Sequence, residues 1–201
     1  MIKQITSALV AGALIAGCST GANQEKEKLK IVNKEAVELE VVPFEGSSVK
    51  ITCETCSVQE QMALEAFQKR GITDKNALAA LMGNIRQESM FKADICEGGA
   101  RIPYENCHSG GYGLIQWTTV GRYDGLGKFA RKEQCNPSTT ECQLGYLFTE
   151  YQWKQVEPYM KTEGKTIEWY MQHAYKWLGW GIHGARTDYA YNYRRQFTPL
   201  N

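Results

Sequence analysis

The sequence predicts a mainly α domain with a short irregular or β-containing arm at its N-terminal side. Three features carry that expectation. Apolar residues recur at helical spacing from Ser57 almost to the C-terminus, with glycines between the runs. Strand-like alternation is confined to VELEVVPF and SVKITC, between positions 37 and 53. The chain has 201 residues, 43% of them hydrophobic, which suits one packed core with appendages.

The first segment is not part of that core. Lys3 precedes an apolar run over 5–17, rich in small residues and about as long as a signal-peptide core. A membrane-spanning helix would need roughly 20 apolar residues. The run ends in Ile15-Ala16-Gly17-Cys18, which resembles the lipobox of bacterial lipoproteins. That resemblance implies a signal peptide over 1–17, a lipid on Cys18 and a lipid membrane as partner, with the protein facing the periplasm or the cell exterior. Residues 19–35 are polar and charged and read as a tether, so 18–52 form a lipidated cysteine, a tether and an arm. The main domain is expected over 53–201.

Six cysteines remain after Cys18: Cys53, Cys56, Cys96, Cys107, Cys135 and Cys142. An even number in an exported chain reads as disulfides. Their spacing makes Cys96–Cys107 and Cys135–Cys142 the simplest pairs, each pinning one loop. Cys53-Glu54-Thr55-Cys56 reads as a plain disulfide, because no second CxxC or βαβ pattern supports a zinc or redox site. His108, His173 and His183 are not spaced as its partners. No metal or cofactor is expected. With a net charge of +1 and no basic stripe among 23 Lys and Arg, nucleic acid is not an expected partner.

The helices follow in order. Ser57-Val58-Gln59-Glu60 is a capping box, and Val58, Met62, Ala66 and Phe67 form a stripe that Gly71 ends. Thr73 is the expected cap of the next helix, whose stripe is Leu78, Leu81, Met82 and Ile85. A glycine-rich, cysteine-pinned loop occupies 96–113. Helices are expected over 121–132 and 141–153, the second with Leu144, Leu147, Phe148 and Tyr151 on one face. Thr166 opens another, carrying Ile167, Tyr170, Met171, Ala174 and Leu178. Gly179, Gly181 and Gly184 break it, and a Tyr-rich helix follows over 187–197.

Glu88 stands out within GNIRQESMF. At about 100° per residue it follows Leu81 and Ile85 along one side of its helix, while Arg86 and Gln87 turn toward solvent or the loop. A carboxyl group desolvated there has its charged form disfavoured, so it can hold a proton for donation. Helical phase alone leaves a solvated helix end equally open.

Downstream, Gly110-Gly111-Tyr112-Gly113-Leu114-Ile115-Gln116-Trp117 joins small residues to an aromatic–amide–aromatic run. Together with Glu88-Ser89-x-Phe91 it resembles the lysozyme-like superfamily. GNIRQESMF followed by GGYGLIQWTTVGRYDGLGKFA is similar to the phage tail lysozyme family, a relative of goose-type lysozymes and lytic transglycosylases. Gln143-Leu144-Gly145-Tyr146-Leu147 also fits, and the resemblance covers about 58–198. It implies a lysozyme-like α-helical fold and cleavage of the β-1,4 bond between N-acetylmuramic acid and N-acetylglucosamine in peptidoglycan glycan strands. Phage tail or lysis components become possible partners, and a virion a possible location.

Carried over by position, Glu88 matches the catalytic acid and Ser89 its support. Tyr112, Gly113, Leu114 and Gln116 match the segment lining the sugar groove, which Trp117 extends. A second carboxylate has no motif match. Asp94 and Glu97 are the nearest candidates, with Glu105 and Asp124 behind them. Without one, the resemblance implies the lytic transglycosylase route, with a single Glu as acid and then base and a 1,6-anhydro product. A non-catalytic wall-binding or virion structural lipoprotein is the alternative of a different class. His108 reads as a loop histidine and His173 as a structural neighbour. Trp169 and Trp177 read as core, and Trp180, in its glycine-rich turn, can reach the cleft.

Overall fold

A computed structural model describes residues 50–108 and 110–200. The readings on 1–49, including the signal segment, Cys18, the tether and VELEVVPF, lie outside the described residues, as does Ser109. The elements are β1 (Ile51–Thr52), α1 (Val58–Lys69), α2 (Lys75–Ser89), α3 (Val120–Glu133), α4 (Thr140–Leu147), α5 (Tyr151–Met160), α6 (Ile167–Leu178), α7 (Arg186–Gln196) and β2 (Thr198–Pro199). The fold is mainly α, as the periodicity predicts.

Helix α2 is the axis of the domain. Every residue from Ala77 to Ile85 is buried, so the expected one-sided stripe is too narrow. A helix apolar all round belongs inside, and Ala77, Ala79, Ala80 and Gly83 let neighbours approach closely. Helices α1, α6 and α7 pack on it. Beside it, Trp153 sits 5.5 Å from both Phe67 and Phe148 and 5.2 Å from Trp177, ring centroid to centroid.

Helix α1 buries Phe67 as expected, but its inward face is rotated from the expected stripe. Val58 is 67% exposed, and the inward residues are Glu60, Ala63, Leu64 and Phe67. The capping box is present, and it holds the reason. Glu60 accepts a hydrogen bond from the Ser57 N–H (2.7 Å), one from the Tyr193 hydroxyl, and the Arg86 guanidinium (3.0 Å). A satisfied carboxylate can head the inward arc. Arg86 therefore turns to this ion pair and not to solvent or the loop.

Two other expectations change. Asp74, not Thr73, caps α2, accepting from the N–H groups of Asn76 (2.7 Å) and Ala77 (3.1 Å). Thr73 instead donates to Glu163 at 2.7 Å. The single helix expected over 141–153 is two. The Thr149 N–H and hydroxyl both turn back to the Tyr146 carbonyl, at 2.8 and 2.7 Å, and end α4. Glu150 then opens α5 with its side chain committed to Arg122, leaving Tyr151 72% exposed.

SVKITC contributes β1, but its partner is the far end of the chain. Ile51 pairs with Pro199 and Thr52 with Thr198, antiparallel. All three local cysteine pairs form disulfides: Cys53–Cys56, Cys96–Cys107 and Cys135–Cys142.

Glu60 and Glu157 give the domain an acid limit. Burial alone raises both carboxyls, but their hydrogen bonds outweigh it, from Tyr193 and Ser57 in one case and from Arg70 and Lys161 in the other. Both sit below the usual 4.5. A carboxyl depressed in the folded state adds stability above its unfolded value, and that stability is lost as pH falls through the folded value. The melting temperature is expected to hold near neutrality and fall steeply below about pH 4.5, the unfolded reference. Glu60→Gln, measured by thermal unfolding against pH, should show a shallower fall; an equally steep one counts against this account.

Candidate active site

Helix α2 ends in an unusual turn. Met90 (φ 52°) and Phe91 (φ 60°) are consecutive non-glycine residues in the left-handed region. Such backbone is strained and persists only where its surroundings hold it. Ser89 does so. Its hydroxyl donates to the Leu114 carbonyl (2.9 Å) and accepts from the Phe91 N–H (3.1 Å), tying the helix end to the glycine-rich segment.

That segment is folded against its upstream partner. Cys96 bridges Tyr112, the Gly113 N–H donates to the Ile95 carbonyl (2.8 Å), and Cys96–Cys107 closes the loop. Gly113 (φ 73°) is required as glycine, since a Cβ would lie 2.4 Å from Gln143 Oε1. Gln143, buried on α4, accepts from the Leu114 N–H (2.8 Å) and donates to the carbonyls of Ala93 (2.6 Å) and Pro137 (2.7 Å).

The structure turns three of the expected groove side chains inward. Tyr112, Leu114 and Trp117 are fully buried. The Tyr112 hydroxyl donates to the Ile102 carbonyl (3.0 Å) and lies 2.7 Å from Ser138 Oγ, whose own hydroxyl can donate to it. Trp117, expected to extend the surface, follows the left-handed Gln116 and packs 5.3 Å from Tyr146. The side chain of Gln116 folds back, donating to the Gly113 carbonyl at 3.0 Å. The segment therefore offers chiefly backbone and glycine.

Glu88 is largely withdrawn from water, its side chain 16% exposed. Arg186, at the start of α7, places Nη2 2.7 Å from Glu88 Oε1. Burial raises the carboxyl above its usual value, and the opposing pulls of Arg186 and, farther off, Arg122 do not cancel it. Arg186 is buried too. Burial lowers its pKa and Glu88 raises it, and a guanidinium stays charged at neutral pH regardless. Its Nη1 donates to the Asn84 carbonyl (3.3 Å), and its guanidinium lies 5.1 Å from the Trp180 ring centroid.

Gly83 makes this reach possible. A Cβ there would stand 2.6 Å from the Ala190 nitrogen and 2.7 Å from the Arg186 carbonyl oxygen. One residue before Glu88, Gln87 turns neither to solvent nor to the 96–113 loop but to the turn before α7, where it accepts from the Ala185 N–H at 2.8 Å. Gly83→Ala, which in an exposed helix would gain about 1 kcal/mol, is expected to lose about 1–3 kcal/mol by overpacking. Denaturant midpoints test this; a stabilised variant would show that α7 yields freely.

The profile of the phage tail lysozyme family matches residues 58–197, well over half of the chain. The chain belongs to the phage tail lysozyme family. No curated protein and no solved structure matches it.

The matched span of this phage tail lysozyme domain runs from α1 to the end of α7 and contains Glu88, Ser89, the glycine-rich segment and Arg186. A lysozyme-like domain implies peptidoglycan as the substrate. The candidate second acids are engaged elsewhere or exposed. Asp94 is ion-paired with Arg101, and Glu97 accepts from the Gly111 N–H (2.8 Å) while packing on Gly110. Glu105 lies exposed in a short 3-10 turn (Tyr104–Asn106). Glu105 and Asp124 line a cavity of about 460 Å³ with His108, Thr118 and Tyr123. Among the described residues, the charged groups that act on Glu88 are Arg186 and Arg122. His173 stacks on Tyr159 at 4.0 Å. No cluster of three or more metal-ligating side chains occurs among the described residues.

Sequence reasoning missed Arg186 and gave no role to Gly83, Arg122 and Gln143, although the motifs quoted above contain all three. Two had signals. A glycine inside an Ala/Leu-rich helix marks close approach. An arginine opening a helix opposes the helix dipole, which suggests a dedicated anionic partner.

Proposed function

We propose that the protein is a peptidoglycan glycosidase, a muramidase, in which Glu88 protonates the leaving oxygen of the N-acetylmuramic acid–N-acetylglucosamine β-1,4 bond. The observation that carries this is a withdrawn carboxyl group held above its usual pKa although an arginine pairs with it. Oε1 faces Arg186, and Oε2 has no hydrogen-bond partner among the described residues, so Oε2 is the oxygen that delivers the proton. As the C1–O bond breaks, the carboxylate left behind gains the charge of Arg186 and the more distant Arg122. Glycine and backbone from 110–116 then form one wall for the polar faces of the sugar.

A second reading has its own support. Asp94 is committed to Arg101 and Glu97 to the Gly111 N–H, and this favours the lytic transglycosylase outcome. There the Glu88 carboxylate takes back a proton from the substrate's C6 hydroxyl, whose oxygen closes on C1. Digestion of purified cell walls with mass analysis separates the two, because hydrolysed ends carry one more water than 1,6-anhydro ends. Walls left intact would leave only the non-catalytic wall-binding reading, and walls cleaved equally by Glu88→Gln protein would remove Glu88 as the acid.

We further propose a lipid anchor at Cys18, supported by the Ile15-Ala16-Gly17-Cys18 motif behind its apolar run. Cys18→Ser should move the protein from the membrane fraction to the soluble one.

A further inference from the structure

We propose that Arg186, held between the Glu88 carboxylate and the Trp180 ring, is the positioning residue of the catalytic acid. It orients one carboxylate oxygen and leaves the other for the substrate. The inference rests on the reading of Glu88 as the acid.

The contrast lies within the molecule. Arg70 grips Glu157 with two nitrogens on two oxygens, Nε to Oε1 at 2.9 Å and Nη2 to Oε2 at 2.7 Å. Arg122 grips Glu150 the same way, at 2.7 and 2.9 Å. Both are forks that use up the carboxylate, the geometry that best serves a structural tie. Arg186 meets Glu88 at one point. Nη2 approaches Oε1 at 2.7 Å, Nη1 is spent on the Asn84 carbonyl, and Nε is buried with no hydrogen-bond partner among the described residues. A pair built only for stability would rotate into the fork and satisfy Nε.

Three contacts hold the single-point geometry. Trp180 lies against the guanidinium face at 5.1 Å, where attraction to the ring opposes rotation. Asn84, one helical turn before Glu88, holds Nη1 at 3.3 Å. The Gly83 contact sets α7 at the required distance. Position also matters. Burying a cation at a helix N-terminus is doubly unfavourable, and an apolar side chain of similar volume would pack there at less cost. Arg186 thus gives up stability in exchange for a fixed acid. On proton transfer it also faces the negative charge that Glu88 acquires.

The test uses the full chain with Arg186→Lys, Arg186→Met and Glu88→Gln, assayed on solubilised peptidoglycan across pH. Glu88 is also titrated by carboxyl carbon-13 NMR, with Glu88→Gln identifying the signal. Arg186→Met is expected to lower kcat about 100-fold with KM little changed, the size of loss that follows a misplaced catalytic group. Its alkaline limb should move to higher pH, as should the Glu88 NMR titration, because the cation favouring the charged form is gone. The charged groups facing Glu88 are Arg186 from α7 and Arg122 from α3, so Arg122 alone remains. Arg186→Lys should restore the limb but not the full kcat, since an ammonium keeps the charge and loses the planar orientation. If Arg186→Met does not fold, Arg186→Lys with wild-type kcat overturns the proposal. So does a folded Arg186→Met whose limb and NMR titration stay at wild-type values. Full activity in Glu88→Gln would overturn the acid assignment instead, a failure distinct from that of Arg186.

Discussion

Glu88→Gln protein is expected to fold normally and to cleave cell walls about 10²–10⁴-fold more slowly, the usual contribution of a positioned general acid. The amide has the size and shape of the carboxyl group, so the surrounding packing survives. Its oxygen can still accept from Arg186. What it cannot do is give up a proton to a departing sugar oxygen. Stability at neutral pH should not fall much, because a carboxyl raised by burial is one whose charge the fold resists. The sign follows from that direction. The folded state gains from a protonated Glu88 at low pH, and this gain disappears as pH rises through the raised folded value. Glycan release and a thermal melt on the same preparation check both halves. A well-folded variant with undiminished release would remove Glu88 from the chemistry.

Gln143→Leu is expected to cost about 3–5 kcal/mol, from three backbone groups that lose their partner at once, each worth about 1–3 kcal/mol if buried. The Leu114 N–H and the carbonyls of Ala93 and Pro137 all meet at this one side chain. Pro137 is partly accessible and can turn to water, which keeps the sum below the maximum. The melting temperature should drop by roughly 10 °C or more. Activity should fall further than unfolding explains, because Leu114 also receives the Ser89 hydroxyl that anchors the turn after Glu88. A variant melting within about 2 °C of wild type would mean that the glycine-rich segment is held by something else.

These contacts also show why some of the molecule was legible in sequence and some was not. The Ser57 cap, the inward phase of Leu78, Leu81, Met82 and Ile85, and the three disulfides depend on neighbours a few residues away. Local chemistry leaves a local pattern. The buried face of α1 does not, because Glu60 is tolerated inside through Arg86 and Tyr193, 26 and 133 positions later. The break between α4 and α5 likewise depends on Thr149 turning back and on Arg122 holding Glu150. At the site, Glu88 and Ser89 sit in a recognisable spacing, but Arg186 meets them only through the packing of α7 on α2. Trp117 was expected to extend the groove because the segment before it matches the family's sugar-lining stretch. Its direction is decided by the left-handed Gln116 before it.

The β1–β2 pair has a consequence for how such a domain can be carried. The Leu200 N–H donates to the Lys50 carbonyl at 2.7 Å, so the polypeptide enters and leaves the described fold at one spot. A module with adjoining ends can be spliced into a surface loop of a host protein without stretching either partner. It can also be permuted, with Lys50 and Leu200 joined by a short linker and new ends opened elsewhere. The turn at Gly164, although exposed, is tied to the start of α2 through Asp74 and Thr73, so new ends belong elsewhere.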